Sequence, residues 1–318
     1  MKTASISASK KTVGVVPQLR VVLLLHLSLL FVVGATPLAQ GQKYKFQRLN
    51  PPGAAYSFAF GINLNRVVVG SFVDASSEYE GYVYEGGKYR AIVFPGSVAF
   101  TQASGINDSN TVVGEFTGSD QLTHGYLLTP DGNFTQYDVA TGASTSIYGI
   151  NNAGNFVGLT SFQGQTVMGF VNIGGTVTEF TFNGDYTYAF GIDSKNDTVG
   201  DFLTPGFVTH GFYRDASGKM TQIDYPGAAT TVCLGINDAA EITGYYVDTD
   251  NVAHGFVTKN GKFRTIALPD MAGINNRQSF VGSYIGKNQE NYGYIATPVS
   301  PARPVPTSDS IMLKKGRR

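Results

Sequence analysis

Three histidines stand at one position of a repeated pattern: His124, His210 and His254, each followed by glycine and then an aromatic residue. Imidazole is a common metal ligand and proton carrier, so the column invites a zinc reading. A zinc site needs its ligands within ~2.3 Å of one ion, whereas equivalent positions of successive repeats point at different neighbours. The expectation is therefore structural, with each histidine making the same local hydrogen bond in its own repeat. A second column is chemically varied: the residue after each Val-Gly or Thr-Gly is Ser71, Glu115, Leu159, Asp201, Tyr245 or Ser283. Variation at one place in an otherwise regular pattern is where a ligand site is expected, and Ser71, Glu115, Asp201, Tyr245 and Ser283 are the candidate binding residues. Glu115 and Asp201 are also the pair that a carboxylate-based hydrolase would use. The Asx-rich stretches 107–110 and 193–197 resemble calcium loops, but calcium takes 6–8 oxygens and only Asp193 with Asp197 offers two carboxylates. They are read as turns. No Gly-x-Ser-x-Gly elbow, HExxH helix or Walker loop occurs, so no catalytic residue, metal or cofactor is nominated.

The elements that position these residues follow from three glycine columns. The first opens Gly-Ile-Asn or Gly-Ile-Asp at Gly61, Gly105, Gly149, Gly191, Gly235 and Gly273. The second follows nine residues later, from Gly70 to Gly282, and the third eleven residues after that, from Gly81 to Gly293, each before an aromatic. The starts recur at intervals of 44, 44, 42, 44 and 38 residues, so all length variation falls outside the motif. Such a period signals a repeat architecture.

Each unit reads as four short strands. Strand A ends at Gly-Ile-Asn and alternates, with Tyr186, Tyr188 and Phe190 facing one way and Thr187 and Ala189 the other. Strand B, around Val-Gly, is a nearly continuous apolar run of the kind buried on both faces. Strand C carries the third glycine, and strand D ends at Pro-Gly or a similar turn. The A to B links have Asx-turn chemistry and the C to D links, such as Gly86-Gly87 and Asn260-Gly261, are tight, so both are antiparallel hairpins. The chain enters on a lone strand D at Tyr44 to Leu49 and leaves on a strand C at Gly293 to Ala296. In a ring the first strand completes the last sheet and removes the exposed sheet ends. The expected fold is all-β, a six-bladed β-propeller of four-stranded antiparallel blades spanning 42–297 and closed by the N-terminal strand. A linear solenoid, the alternative, would end in capping units.

The chain of 318 residues has 23 basic and 23 acidic side chains and only 14% charged residues, which excludes a nucleic-acid footprint. Its one cysteine, Cys233, allows no intramolecular disulfide. Lysines and Arg20 precede the apolar run Val21 to Val33, and small residues follow, the order of a secretory signal peptide over 1–41. The run falls short of the ~20 residues of a spanning helix, so export with cleavage is expected rather than an anchor. The localisation is then secreted, periplasmic or cell-surface. Residues 298–318, rich in proline and ending in Lys314, Lys315, Arg317 and Arg318, read as a disordered tail.

The Gly-Ile-Asn, Val-Gly and His-Gly-Phe elements, with Ile-Asp-x-Pro-Gly-Ala at Ile223 to Ala228, resemble the bacterial extracellular repeats called the HAF family after a His-Ala-Phe signature. The signature stands at His124-Gly125-Tyr126, His210-Gly211-Phe212 and His254-Gly255-Phe256, and departs to Glu80, Met168 and Tyr292 in the other units. The resemblance implies a secreted bacterial repeat protein and supplies no reaction. The functional expectation is a non-catalytic extracellular binding module, with carbohydrate or another polymer the natural ligand for an aromatic, weakly charged surface. The alternatives are a hydrolase or lyase at the axial mouth and a purely structural spacer.

Overall fold

The computed structural model describes residues 44–268 and 270–299. The leader expected at 1–41 and residues 300–318 of the tail expected at 298–318 lie outside the described residues, while Pro298 ends a paired strand rather than starting the tail. Six four-stranded antiparallel sheets make up the whole of the described architecture, and they form a six-bladed β-propeller. In blade one the strands are A (Ala54–Ile62), B (Val68–Asp74), C (Tyr79–Glu85) and D (Lys88–Ile92), hydrogen-bonded in that order. Blades two to five repeat this. Blade six takes its A, B and C strands (Gly273–Ile274, Phe280–Ile285, Asn291–Pro298) from the C-terminal end and its D strand (Tyr44–Leu49) from the N-terminal end, with Leu49 opposite Gly293 and Tyr44 opposite Pro298. Among the described residues no helix is long and apolar enough to cross a membrane.

The three glycine columns are three kinds of close approach. A Cβ on Gly105 would lie 2.6 Å from the Tyr148 carbonyl and 3.3 Å from Gly149 Cα, and one on Gly273 would lie 2.5 Å from the Phe60 carbonyl. The first column is thus where the A strands of neighbouring blades touch around the axis, and the last contact closes the ring onto blade one. A Cβ on the second column would meet a carbonyl of strand A in blades one to five, or of Asp270 in blade six, and, in most blades, the ring of the aromatic after the third glycine. Those aromatics, Tyr82, Tyr126, Phe170, Phe212, Phe256 and Tyr294, are all buried. The third column faces the next blade: a Cβ on Gly211 would lie 2.6 Å from Cys233 Sγ. Apolar clusters fill the spaces between successive blades, and one of them joins Leu49 and Ile295 to Ala59 and Tyr82 across the closing seam.

Strand A carries a bulge. The register slips between Ala59 and Gly61, and at the equivalent place in blades two to five, so Phe60 and Phe190 sit at the slip. The Tyr188 and Phe190 rings lie nearly parallel with centroids 6.4 Å apart, and those of Phe58 and Phe60 6.2 Å apart, in keeping with the expected shared face.

The A to B hairpins do more than turn. Asn63 Oδ1 accepts from the Asn65 and Val67 amides at 3.0 Å, the expected Asx turn. Its Nδ2 donates to the Asn107 carbonyl of the next blade at 3.1 Å. Asn107, Asn151, Asn237 and Asn275 do the same, and Asn275 reaches Asn63 across the seam at 2.9 Å. This relay is broken only at Asp193, which has no N–H to give. Its Oδ1 holds the turn, while its Oδ2 is buried with no hydrogen-bond partner among the described residues. Burial, together with the nearby charges of Asp197 and Asp238, raises the Asp193 pKa above the usual carboxylate range. Asp193→Asn is expected to complete the relay and raise stability at pH 8 by about 1–2 kcal/mol. The gain should shrink as pH falls, because a protonated Asp193 can itself donate. Chemical denaturation of both proteins at pH 8 and pH 5 checks this, and a variant less stable than wild type at pH 8 would refute it.

Candidate functional site

The variable column after the second glycine is placed by strand pairing. Ser71, Glu115, Leu159, Asp201 and Tyr245 stand opposite Phe58, Gln102, Ser146, Tyr188 and Val232 of strand A, and directly opposed residues share a face. In blade six, where strand A is cut to Gly273–Ile274, the Asp270 carbonyl takes the equivalent place beside Gly282, and Ser283 Oγ donates to Asp270 Oδ2 at 3.0 Å. These side chains form a polar belt where adjacent blades meet beside the innermost strands. Ser71 Oγ donates to Tyr79 Oη at 2.8 Å, Tyr79 Oη to Gln102 Oε1 at 3.2 Å, and Gln102 Nε2 to Ser104 Oγ at 3.1 Å. Glu115, 3% exposed, sits beside Ser146. Burial pushes its pKa up to about 7, and the Ser146 hydroxyl works against that shift. Burial, and then the Asp201 charge, raise the hydroxyl pKa values of Tyr188 and Tyr245.

The belt contains all five candidate residues. Ser71, Glu115, Asp201 and Tyr245 are buried, and Ser283 is partly exposed. Sequence reasoning missed their partners Tyr79, Gln102, Ser146, Tyr188 and Asp270. The signal was available, since the strand A position opposite the variable column is just as varied. On the innermost strands the residues at the slip, Phe60, Tyr148 and Phe190, are partly exposed.

The end of the ring formed by the B to C loops and D to A connectors carries the open surface. Tyr56, 45% exposed, and Tyr186, 41% exposed, begin strand A in blades one and four, and Phe207, 84% exposed, sits in the B to C loop of blade four beside Val208. The histidine column lies at the same end. His124 Nδ1 bonds Asp138 at 2.8 Å and its Nε2 bonds Asp120 at 3.1 Å. His210 Nδ1 bonds Asp224 at 2.9 Å, and in both blades a glutamine, Gln136 or Gln222, donates to the same aspartate. His254 instead uses Nε2 to Asp248 at 2.7 Å. The rings stack on Phe116, Phe202 and Tyr246, which stack in turn on Phe94, Phe182 and Tyr225 at the start of the connectors from the preceding blades. Each histidine is thus occupied within its own blade. No group of three or more metal-ligating side chains occurs among the described residues.

Burial lowers the His124 pKa, but the bonds to Asp120 and Asp138 outweigh it and the net shift is upward. Its stabilising contribution is therefore present below the ordinary histidine pKa and is lost as pH rises through the folded one. Asp138→Asn is expected to move the titration midpoint of the His124 ring downward, read by NMR of its carbon-bound protons. An unchanged midpoint would show that Asp138 does not hold the proton.

At the opposite end the six hairpins surround a cavity of about 90 Å³, lined by Ile62, Ile106, Ile150 and their counterparts with the asparagines that follow them. That is room for a few waters.

Comparison of the sequence with protein-family models and with curated proteins finds no match in either. Solved structures do match in shape. A triple arginine mutant of AofleA from Arthrobotrys oligospora superposes with a TM-score of 0.52 at 12% identity, covering 86% of this chain and 95% of that one. The SapL1 lectin in complex with alpha methyl fucoside gives 0.52 at 11% identity, covering 79% and 99%. A gluconolactonase from Xanthomonas campestris gives 0.51 at 10% identity, covering 85% and 100%. At these identities the likeness is one of fold.

Proposed function

We propose that this protein is an exported, non-catalytic binding module whose ligand is a carbohydrate or a similar extracellular polymer. The observation that carries the reading is that exposed aromatic side chains, Tyr56 in blade one and Tyr186 and Phe207 in blade four, stand at the end of the ring formed by loops and connectors. Exposed rings beside hydroxyl, amide and carboxylate groups suit sugars, which present apolar C–H faces and hydroxyl edges. A lectin among the structures of similar shape supports the reading. Assignment to the HAF-type repeats rests on the six-copy motif, and export on the charged, apolar, small-residue order of the leader. A printed glycan array probed with the purified chain is the test. Saturable binding to one glycan class supports the proposal, and no binding to any glycan or soluble polysaccharide refutes it.

A second reading, a hydrolase or lyase at the axial mouth, draws on the buried pair Glu115 and Asp201 and on a Glu115 pKa of about 7, suited to a general acid. It predicts release of reducing ends or unsaturated products from the bound polymer, lost in Glu115→Gln.

A further inference from the structure

Five of the six B to C loops close with a residue in the left-handed region at the same place: Ser77, Gln121, Phe207, Asn251 and Gln289, with φ of 65°, 67°, 59°, 62° and 64°. Each donates its amide to the carbonyl three residues earlier, and Phe207 bonds Thr204 at 2.9 Å. Four are polar residues with small or flexible side chains. Phe207 is the exception, a bulky ring in a conformation that favours Gly and Asn, and it is 84% exposed. The fold gains nothing from it, because the ring buries little. A side chain that breaks a local rule without packing benefit points to function.

Its surroundings say what it would meet. Tyr186 pairs with Leu203, the last residue of strand B before this loop, and Leu203 pairs in turn with Thr209, which follows Val208. Tyr186, Phe207 and Val208 therefore crown one end of blade four. At the same end stand the exposed Gln222 and Asp224, bonded to each other and to His210. The apolar area offered by the three side chains is roughly 300 Å², far below the ~800 Å² per partner of a stable protein complex. It is the right scale for one or two sugar rings.

We propose that Phe207 and Tyr186 form a sugar-stacking subsite on blade four, for a neutral oligosaccharide whose hydroxyls face Gln222 and Asp224. This inference rests on the binding-module reading and specifies where on the ring it acts. The test uses the purified chain on an array of neutral oligosaccharides, followed by affinity electrophoresis in gels containing the best-scoring glycan, with Phe207→Asn and Tyr186→Ala alongside wild type. Asparagine suits the left-handed turn, so Phe207→Asn is expected to melt at the wild-type temperature or ~1–3 °C higher while affinity falls about tenfold or more. Tyr186→Ala should lose affinity similarly. Wild-type binding retained in both variants overturns the subsite and leaves the binding module standing. A Phe207→Asn protein that melts several degrees lower makes the ring structural and also overturns the subsite. No wild-type binding to any neutral glycan overturns the subsite, and continued binding to charged glycans would spare the broader reading.

Discussion

Gly158→Ala is expected to prevent folding. An alanine Cβ there would lie 1.9 Å from the Ser146 carbonyl oxygen and 2.9 Å from the Phe170 ring. Neither neighbour can retreat. The carbonyl belongs to strand A of the same sheet, paired with Gly158 through Ile147, and Phe170 is fully buried. Ordinary overpacking costs about 1–3 kcal/mol when side chains can shift. Here the clash is with backbone that cannot move, and the cost should exceed ~4 kcal/mol and approach the roughly 5–15 kcal/mol that holds a typical domain folded. The same substitution at Gly86, where φ is +56° and nothing lies within 4 Å, should cost only about 1 kcal/mol. The two variants are compared by soluble yield, circular dichroism and denaturant midpoint. A Gly158→Ala protein that folds with a midpoint close to that of Gly86→Ala would show that the second glycine column is not set by this close approach.

That contrast also explains why the fold was legible in the sequence. The glycine columns mark backbone contacts that recur with the same partners in every blade, so they stay in phase over six copies. Closure was legible for a similar reason: a lone strand D at one end and a missing one at the other are complementary, and Leu49 does pair with Gly293. The bulge at Phe60 and Phe190 was not legible, because strand A looks alternating until the pairing of Gly61 and Gly191 with Val69 and Val199 is known. The Asn column was half legible. Its Oδ1 serves a turn four residues long, which local pattern reveals, while its Nδ2 serves a carbonyl 38 to 44 residues on in most blades, which only the ring reveals.

The candidate site shows the same division. Variation marked Glu115 and Asp201 as worth examining, and pairing with strand A put them near the axis. Their burial could not be read from the column itself. It comes from the neighbouring blade, which places Ser146 and Tyr148 against Glu115, and Cys233 and Tyr245 near Asp201. The short interval before Gly273 was visible as a deletion. Its consequence, an aspartate carbonyl in place of a strand, was not.

Glu115→Gln is expected to remove the pH dependence of stability between pH 5 and pH 8 that the Glu115 carboxyl contributes. Glu115 ionises at about 7 in the folded chain against 4.5 for an ordinary glutamate, chiefly because burial disfavours its charge. Between those values the native state holds a proton that the unfolded state has lost, so stability falls as pH rises. The full displacement corresponds to ~3 kcal/mol, reached once pH passes the folded value. Glutamine is uncharged throughout and nearly isosteric, so the variant should exceed wild type by less than ~1 kcal/mol at pH 5 and by up to ~3 kcal/mol at pH 8. Urea denaturation at both pH values, taken as the difference between variant and wild type, cancels the parallel contributions of His124 and Asp193. A difference that stays constant between pH 5 and pH 8 would mean that Glu115 is ionised in the belt already at pH 5, held by a partner able to stabilise its charge. A difference that widens with pH shows that Glu115 keeps its proton in the belt at mildly acidic pH, because burial disfavours its charge.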